Sequence, residues 1–414
     1  MSETKPKDDS LASRILPECP SNIATILHHA WQHDLAALKP LLAVPGRAST
    51  DGKAANIEDA KAVVHELFLS GAIWNDVDSN NETPGCLASR VGEKALYELC
   101  VDAGVRAELL FGLLDGYEEI ESIDEEDEAE TGDAQNDGKD TEDTANFENQ
   151  PSNEPEDIVL DSDPDRAFTA PVSNHTVDSA TYLKSDLTYT PDKLLDESQN
   201  GVMMKWETEI MERSVSSLLP SSPDNTGRRI LNIGFGLGII DRMFSATKPS
   251  KHHIIEAHPA VLAHISSTTS GFSPAWEASA PSPDAYKVHA GKWQDVIPQL
   301  LEKGDIYDAI YFDTFGEDYS QLRNFFTEHV PGLLDEGGIF SFFNGLGADR
   351  QVCYDVYTKV VEMHLSDAGM DVEWQDLDVD LKGLDKEGEG EWDGVKRRYW
   401  TLERYRLPIC TFMG

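Results

Sequence analysis

Cysteine is scarce in this chain and shows no pairing pattern. Only five occur in 414 residues, Cys19, Cys86, Cys100, Cys353 and Cys410, and no two form a Cys-x-x-Cys. Neither a zinc site nor a disulfide framework is indicated, so no metal is expected. A reducing compartment, cytoplasm or nucleus, is expected. Long apolar runs are also missing. No window reaches the roughly 18 apolar residues of a membrane span, and the first residues are Lys- and Asp-rich, so no membrane contact is expected. Basic residues are few, 34 Lys and Arg against 76 Asp and Glu. Without a basic face the chain is not expected to hold nucleic acid directly. A monomer is expected.

The net charge of −42 is uneven. Between Tyr117 and Asp165 there are 21 acidic residues against one lysine, Lys139. A tract such as Asp124-Glu125-Glu126-Asp127-Glu128 buries nothing and repels itself, so disorder is predicted there. It is either a solvated linker or an acidic arm that steers a basic partner.

Three regions follow from pattern. Residues 20–115 read as helical, with apolar positions such as Leu35, Leu38 and Leu42 at helical spacing. Within them Val63–Ala72 and Leu96–Val105 look alike, about 33 residues apart, each ending in a small-Gly-apolar stop. Between them Thr83-Pro84 opens a helix, with Pro84 at a first-turn position that needs no N–H. Period and pattern resemble ankyrin repeats, which present a binding face to proteins; an unrelated small bundle is the alternative. Residues 116–175 read as the acidic linker. From 176 to 414 apolar strand-type runs alternate with helices. Strands are predicted at Arg229–Ile233, His253–Glu256, Tyr286–His289, Asp308–Asp313, Gly338–Phe343, Val372–Leu377 and Arg398–Leu407. This is an α/β pattern with a mainly parallel, Rossmann-like seven-stranded sheet.

The first of these strands runs into Gly234-Phe235-Gly236-Leu237-Gly238 and then Ile239-Ile240-Asp241, a helix start. Glycines there let backbone approach where a Cβ would collide. An acid is expected about 20 residues later, and Glu256 stands at the end of the second strand, able to accept both ribose hydroxyls. A dinucleotide fold favours a third glycine where this chain has Ile239, whereas S-adenosylmethionine has no pyrophosphate to seat. S-adenosylmethionine is therefore the expected cofactor. After the third strand, Trp293 offers an apolar wall for adenine and Gln294 a polar contact, although Trp293 reads equally well as core.

Asp313 ends the fourth strand, where ligands bind in open α/β sheets. A charge directly after Ile310-Tyr311-Phe312 needs a partner. Upstream, Val202-Met203-Met204-Lys205-Trp206-Glu207 is predicted to open a helix.

Met203…Trp206-Glu207, Gly234-Phe235-Gly236, Ile254-Ile255-Glu256, Trp293…Asp295-Val296 and Tyr311…Asp313-Thr314 together resemble guanidinoacetate N-methyltransferase over the C-terminal half. With the ankyrin-like repeats and the ending Tyr405-Arg406-Leu407-Pro408-Ile409-Cys410, the chain resembles the fungal arginine δ-N-methyltransferases still more. The resemblance implies a class I methyltransferase domain in which Glu207 and Asp313 hold a guanidino group. It implies cofactor contacts at Met203, Gly234, Phe235, Gly236, Leu237, Gly238, Ile239, Ile240, Glu256, Ala257, His258, Trp293, Gln294 and Asp313, with Tyr189 as an upstream aromatic. It also implies a basic protein substrate presenting arginine, a ribosomal protein among the choices.

Two departures bear on the substrate. The guanidinoacetate enzymes carry Asn-Leu-Thr after the fifth strand to bind the small acid's carboxylate, where this chain has Asn344-Gly345-Leu346. The double-Glu loop and Thr-His-Trp of the ω-nitrogen arginine methyltransferases are not found. The first departure favours a peptide arginine over a free acid; the second, through the resemblance alone, favours the internal nitrogen. The alternatives are a small-molecule guanidino N-methyltransferase and an ankyrin-type scaffold with an inert methyltransferase domain.

Overall fold

The computed structural model describes residues 57–126 and 179–414, apart from 79–80, 221–226, 385–389 and 397, together with a few residues between 25 and 30. Of the described residues, those through Leu109 and from Ser179 onward belong to one compact unit and Leu110–Glu126 to another. The first part of the predicted helical stretch, most of residues 20–56 with Leu35–Leu42, lies outside the described residues.

Three helices come first: α1 (Ile57–Leu69), α2 (Pro84–Arg90) and α3 (Lys94–Glu126). After α1 the chain turns at Gly71, whose φ of 96° suits the predicted glycine stop. The second predicted stop, at Gly104, is not one. Helix α3 runs through it, because a Cβ there would meet Val356 at 2.6 Å and Trp74 at 2.9 Å. That glycine serves close packing and not termination. Helix α3 also continues through Glu126, so the predicted acidic tract begins helical; its Glu, Leu and Ile are adequate helix formers and no Gly or Pro follows Gly116 before Glu126. The rest of the predicted linker lies outside the described residues. Thr83 caps α2 by accepting from the Cys86 N–H at 3.1 Å, with Pro84 at the first turn. Trp74, Cys100, Val101 and Ala103 form a core with Val352, Cys353, Val356 and Val360 of a later helix.

Three short antiparallel strands follow: β1 (Thr188–Tyr189), β2 (Lys193–Leu195) and β3 (Gly201–Met204). The predicted helix start at Val202 is therefore a strand; a 3-10 turn (Lys205–Glu207) leads into α4 (Thr208–Leu218). The reason is pairing: Leu194 and Lys193 of β2 oppose Met203 and Met204, and the backbone groups satisfied there are unavailable to a helix.

The remaining strands make one sheet: β4 (Arg229–Ile233), β5 (Lys251–Glu256), β6 (Tyr286–Ala290), β7 (Tyr307–Phe312), β8 (Leu334–Phe342), β9 (Met370–Asp378) and β10 (Arg404–Phe412). Their order is β6-β5-β4-β7-β8-β10-β9. All neighbouring pairs from β6 to β8 are parallel, and β10 is antiparallel to both β8 and β9. The expected seven-stranded, mainly parallel sheet is present. The last strand starts six residues later than predicted, at Arg404 rather than Arg398, because Tyr399, Trp400 and Leu402 leave the sheet to join a separate aromatic cluster.

Alternation places the two cores. Leu231, Ile233, Ile310 and Phe312 face one layer, with Trp293, Ile297 and Phe325. Ile230, Ile254, Ala309 and Tyr311 face the other, with Met211 and Phe244. A sheet covered on both faces explains why these strands are apolar runs rather than half-polar ones. Helices α5 (Ile239–Ala246), α6 (Pro259–Ser266), α7 (Trp293–Glu302) and α8 (Gln351–Asp367) connect the strands. The crossovers bring the carboxyl ends of β4, β5, β6 and β7 to one edge.

Candidate active site

At that edge lies an open cleft. Of the sixteen positions named from sequence, Met203, Gly234, Gly236, Glu256, Ala257, Trp293, Gln294 and Asp313 line it.

The glycine loop is built around the protein's own atoms. Gly234 has φ 92°, and a Cβ there would lie 1.9 Å from the Asp313 carbonyl oxygen. The Asp313 N–H donates to the Ile233 carbonyl at 2.8 Å, so the ends of β4 and β7 are stitched together beside this glycine. Gly236 leaves space for Met203, whose sulfur would be 2.7 Å from an added Cβ. That sulfur also accepts from the Leu237 N–H at 3.2 Å. Gly238 caps α5 with φ 67° and clears the Phe235 ring. The glycines were expected to admit a ligand; in addition they admit Asp313, Met203 and Phe235.

Glu256 is 8% exposed. One carboxylate oxygen accepts the Phe235 N–H at 3.0 Å and the other the His258 N–H at 2.6 Å. Burial pushes its pKa up, and those backbone donors oppose the shift. The Ala257 and Gly236 N–H groups oppose the shift as well, and the carboxylate remains an acceptor in the cleft lining, the group a pair of ribose hydroxyls needs.

Trp293 is both wall and core. Its ring lines the cleft and packs on Phe312 and Phe325, and its Nε1 donates to Glu317 at 3.0 Å. Gln294 donates its amide to Glu317 and Gln321, both at 2.9 Å. Its Oε1 is buried without a partner among the described residues, an acceptor suited to adenine's amino group.

Phe235, Leu237, Gly238, Ile239 and Ile240 do not line the cleft. Four of them are buried apolar side chains supporting the loop from behind. His258 is likewise displaced from the cleft. Its Nδ1 caps α6 by accepting from Ala260 at 3.1 Å, while Nε2 pairs with the Tyr182 carbonyl at 3.0 Å. These partners require a neutral ring, and burial lowers its pKa accordingly. Tyr189 also stays outside the cleft lining, stacked on His264 at 4.5 Å. Tyr182 takes the aromatic position expected of Tyr189: it lines the cleft and packs on His258 and Phe315. Tyr182, Phe315 and Glu317 were missed. Phe315 and Glu317 sit on the loop after β7 and Tyr182 ends a four-residue helix (Ser179–Tyr182), segments too short for any periodicity to mark a functional residue.

The two remaining carboxylates are in a different condition. Glu207 is 3% exposed, and its Oε1 accepts the Met204 N–H at 3.0 Å and the Tyr399 hydroxyl. Asp313 has a buried Oδ2 with no partner among the described residues. Burial raises the pKa of both, and the Asp313 charge raises Glu207 further. No Lys or Arg among the described residues is paired with either in the ion pairs found. A buried acid and a half-buried one, both with raised pKa and neither paired with Lys or Arg among the described residues, make a site for a cation. Asn344, by contrast, is spent on structure: its Nδ2 donates to Tyr354 and to the Arg406 carbonyl, both at 3.1 Å.

Residues 178–372 match the family model for guanidinoacetate N-methyltransferase. Protein arginine N-methyltransferase 2 of Gibberella zeae is 53% identical, covering 96% of this chain and 94% of its own. The Neurospora crassa protein of that name is also 53% identical, covering 98% of this chain and 99% of its own. The chain belongs to the protein arginine N-methyltransferase 2 family. The family reaches as far as Saccharomyces cerevisiae, whose member is 35% identical over 90% of this chain and 83% of its own. Membership makes the chain an enzyme and a methyltransferase. It also separates two layers of likeness. The guanidinoacetate model stops at residue 372, whereas the arginine family extends across the helices before the sheet and the aromatic loop after it.

Proposed function

We propose that this enzyme methylates the internal, δ nitrogen of an arginine side chain in a basic protein, with S-adenosylmethionine as donor. The observation that carries the reading is two carboxylates with no Lys or Arg partner among the described residues: Asp313, which lines the cleft and has a buried Oδ2, and Glu207, buried outside the cleft lining with its pKa raised by the Asp313 charge.

Glu256 would hold the ribose, Gln294 Oε1 the adenine amine, and Met203 and Gly236 would flank the methionine end. When bound, the cofactor supplies a methyl group already activated on a sulfonium. What the chain must add is a nucleophile in line with it. A guanidinium is planar, cationic and delocalised, so none of its nitrogens has a free lone pair. Glu207 Oε1 is filled by Met204 and Tyr399, leaving Oε2 for the substrate, and Asp313 offers Oδ2. One free oxygen on each of two carboxylates suits the two terminal nitrogens, one apiece, through charge-assisted bonds. Charge is drawn to those nitrogens, and the internal nitrogen is left to face the methyl. The departing sulfur would keep the C–S bonding pair, so what falls to this chain is the proton of the attacking nitrogen. The N–H proton passes to a carboxylate whose raised pKa suits it as a base. Alignment supplies much of the rate.

A protein substrate is preferred over a small acid because the Asn344 amide is already engaged and the hydroxyl neighbour is lacking. The chain's acidity favours a basic partner such as a ribosomal protein, met in cytoplasm or nucleus. The Thr83-Pro84 helix pair, read as ankyrin-like, would dock it. The test is incubation with labelled cofactor and a ribosomal protein fraction, then fragmentation of the methylarginine. Fragments with the methyl on the internal nitrogen support the reading. An ω-methyl product, or turnover of guanidinoacetate at the protein's rate, sinks it.

A further inference from the structure

Tyr399 lies in the loop between β9 and β10, beyond the residues that match the guanidinoacetate enzymes. Its hydroxyl donates to Glu207 Oε1 and accepts from the Trp206 Nε1 at 3.2 Å. Trp206 and Trp392 pack on its ring, at 6.0 and 5.0 Å between centroids. β3 is shaped for it: a Cβ on Gly201 would meet the Tyr399 ring at 2.8 Å. A half-buried phenol held between an indole N–H and a carboxylate has its pKa raised well above the ordinary value by burial and by the Glu207 charge, so it stays protonated and donates.

We propose that Tyr399 is a positioning residue for methyl transfer: its hydroxyl locks the Glu207 carboxylate so that Oε1 is filled and Oε2 is presented to the arginine guanidinium. This rests on the reading that Glu207 holds the guanidinium. Without Tyr399 the carboxylate keeps only the Met204 N–H and turns about its terminal torsion, which is broad and two-fold. The oxygen offered to substrate is then no longer fixed. The hydroxyl also favours the charged form of Glu207, against burial and the negative field of Asp313. The other titratable groups facing Glu207 are Glu391 on the same loop, Tyr311 on β7 and Tyr405 on β10. None of these donates to it among the bonds found.

The experiment is steady-state methylation of an arginine protein by the full chain across pH 6–9, for wild type and Tyr399→Phe, with cofactor affinity measured by calorimetry. The expected result is a fall in kcat/KM of about tenfold or more. The acidic limb of the profile moves up by about one pH unit, with cofactor affinity within twofold. A merely structural ring would leave that limb in place, since phenylalanine keeps the ring; an unmoved limb in Tyr399→Phe overturns the proposal. If that variant does not fold, Gly201→Ala, which crowds the ring aside but keeps the hydroxyl, is read for the same shift. Glu207→Gln serves as control. If it keeps full activity, the guanidinium reading itself has failed, not the role of Tyr399.

Discussion

The cofactor half and the substrate half of this site each contain buried carboxylate, and they treat it differently. Glu256 has both oxygens held by backbone N–H groups, from Phe235 and His258. It is a buried charge solvated by its own loop, ready before any ligand arrives. Asp313 has an unpartnered buried oxygen, and Glu207 is satisfied on one oxygen only. Those two repel each other, and burial favours their protonated forms. Burial alone is therefore not the functional mark; incomplete satisfaction is. A neutral polyol needs an acceptor already in place. A guanidinium brings its own charge, and the site can leave that charge unmatched until it binds.

Four changes would break or sharpen this contrast. The largest effect is expected from Asp313→Asn, which keeps shape but removes one of the two charges. Methyl transfer should fall about 10³-fold while calorimetry finds cofactor affinity changed by less than about tenfold. Equal losses in both would erase the distinction between the halves. Next is Gly234→Ala, which strikes the seam between them: its Cβ would lie 1.9 Å from the Asp313 carbonyl in a φ of 92°. Stability should drop by about 3 kcal/mol or more, with cofactor binding lost, as read by thermal unfolding and calorimetry. Glu256→Gln should weaken the cofactor about 10- to 100-fold. It should leave KM for the arginine protein nearly unchanged; a large rise in that KM would contradict the assignment.

The smallest effect is on stability, and its sign is diagnostic. The folded pKa values of Glu207 and Asp313 are raised above the ordinary carboxylate values. Between those ordinary values and the raised ones the folded state binds more protons than the unfolded state, so stability falls as pH rises. The free protein should lose roughly 1–3 kcal/mol from mildly acid to alkaline pH through these groups. Asp313→Asn should recover part of that loss at alkaline pH and none in acid. A flat melting temperature across the range would show that both carboxylates are ionised at no cost.

Legibility in the sequence followed the range of the interactions. The strands β4 and β7 were readable because their apolar residues run nearly unbroken, and the ends of β4, β5 and β7 placed Gly234, Glu256 and Asp313 at one edge. Met203 and Glu207 were legible only by resemblance, since the residues alone suggested a helix where β3 pairs with β2. Gly104 was misread because a glycine that ends a helix and one that lets another helix approach are identical in one dimension. His258 and Tyr189 were near the site in sequence but turned away, one to cap α6 and the other to stack on His264.

The order of apolar runs, the glycines and the acids at strand ends by themselves determined a parallel α/β sheet and a nucleoside-type cleft, because these depend on local period and on backbone conformation. Only the tertiary structure decided how the acids are satisfied. Glu256 takes donors from 2 and 21 residues away, Glu207 takes the hydroxyl of Tyr399 from 192 residues away, and Asp313 Oδ2 takes none among the described residues. Hydrogen-bond partners that distant carry no sequence period, and the charge left over at the cleft is known only after every one of them has been placed.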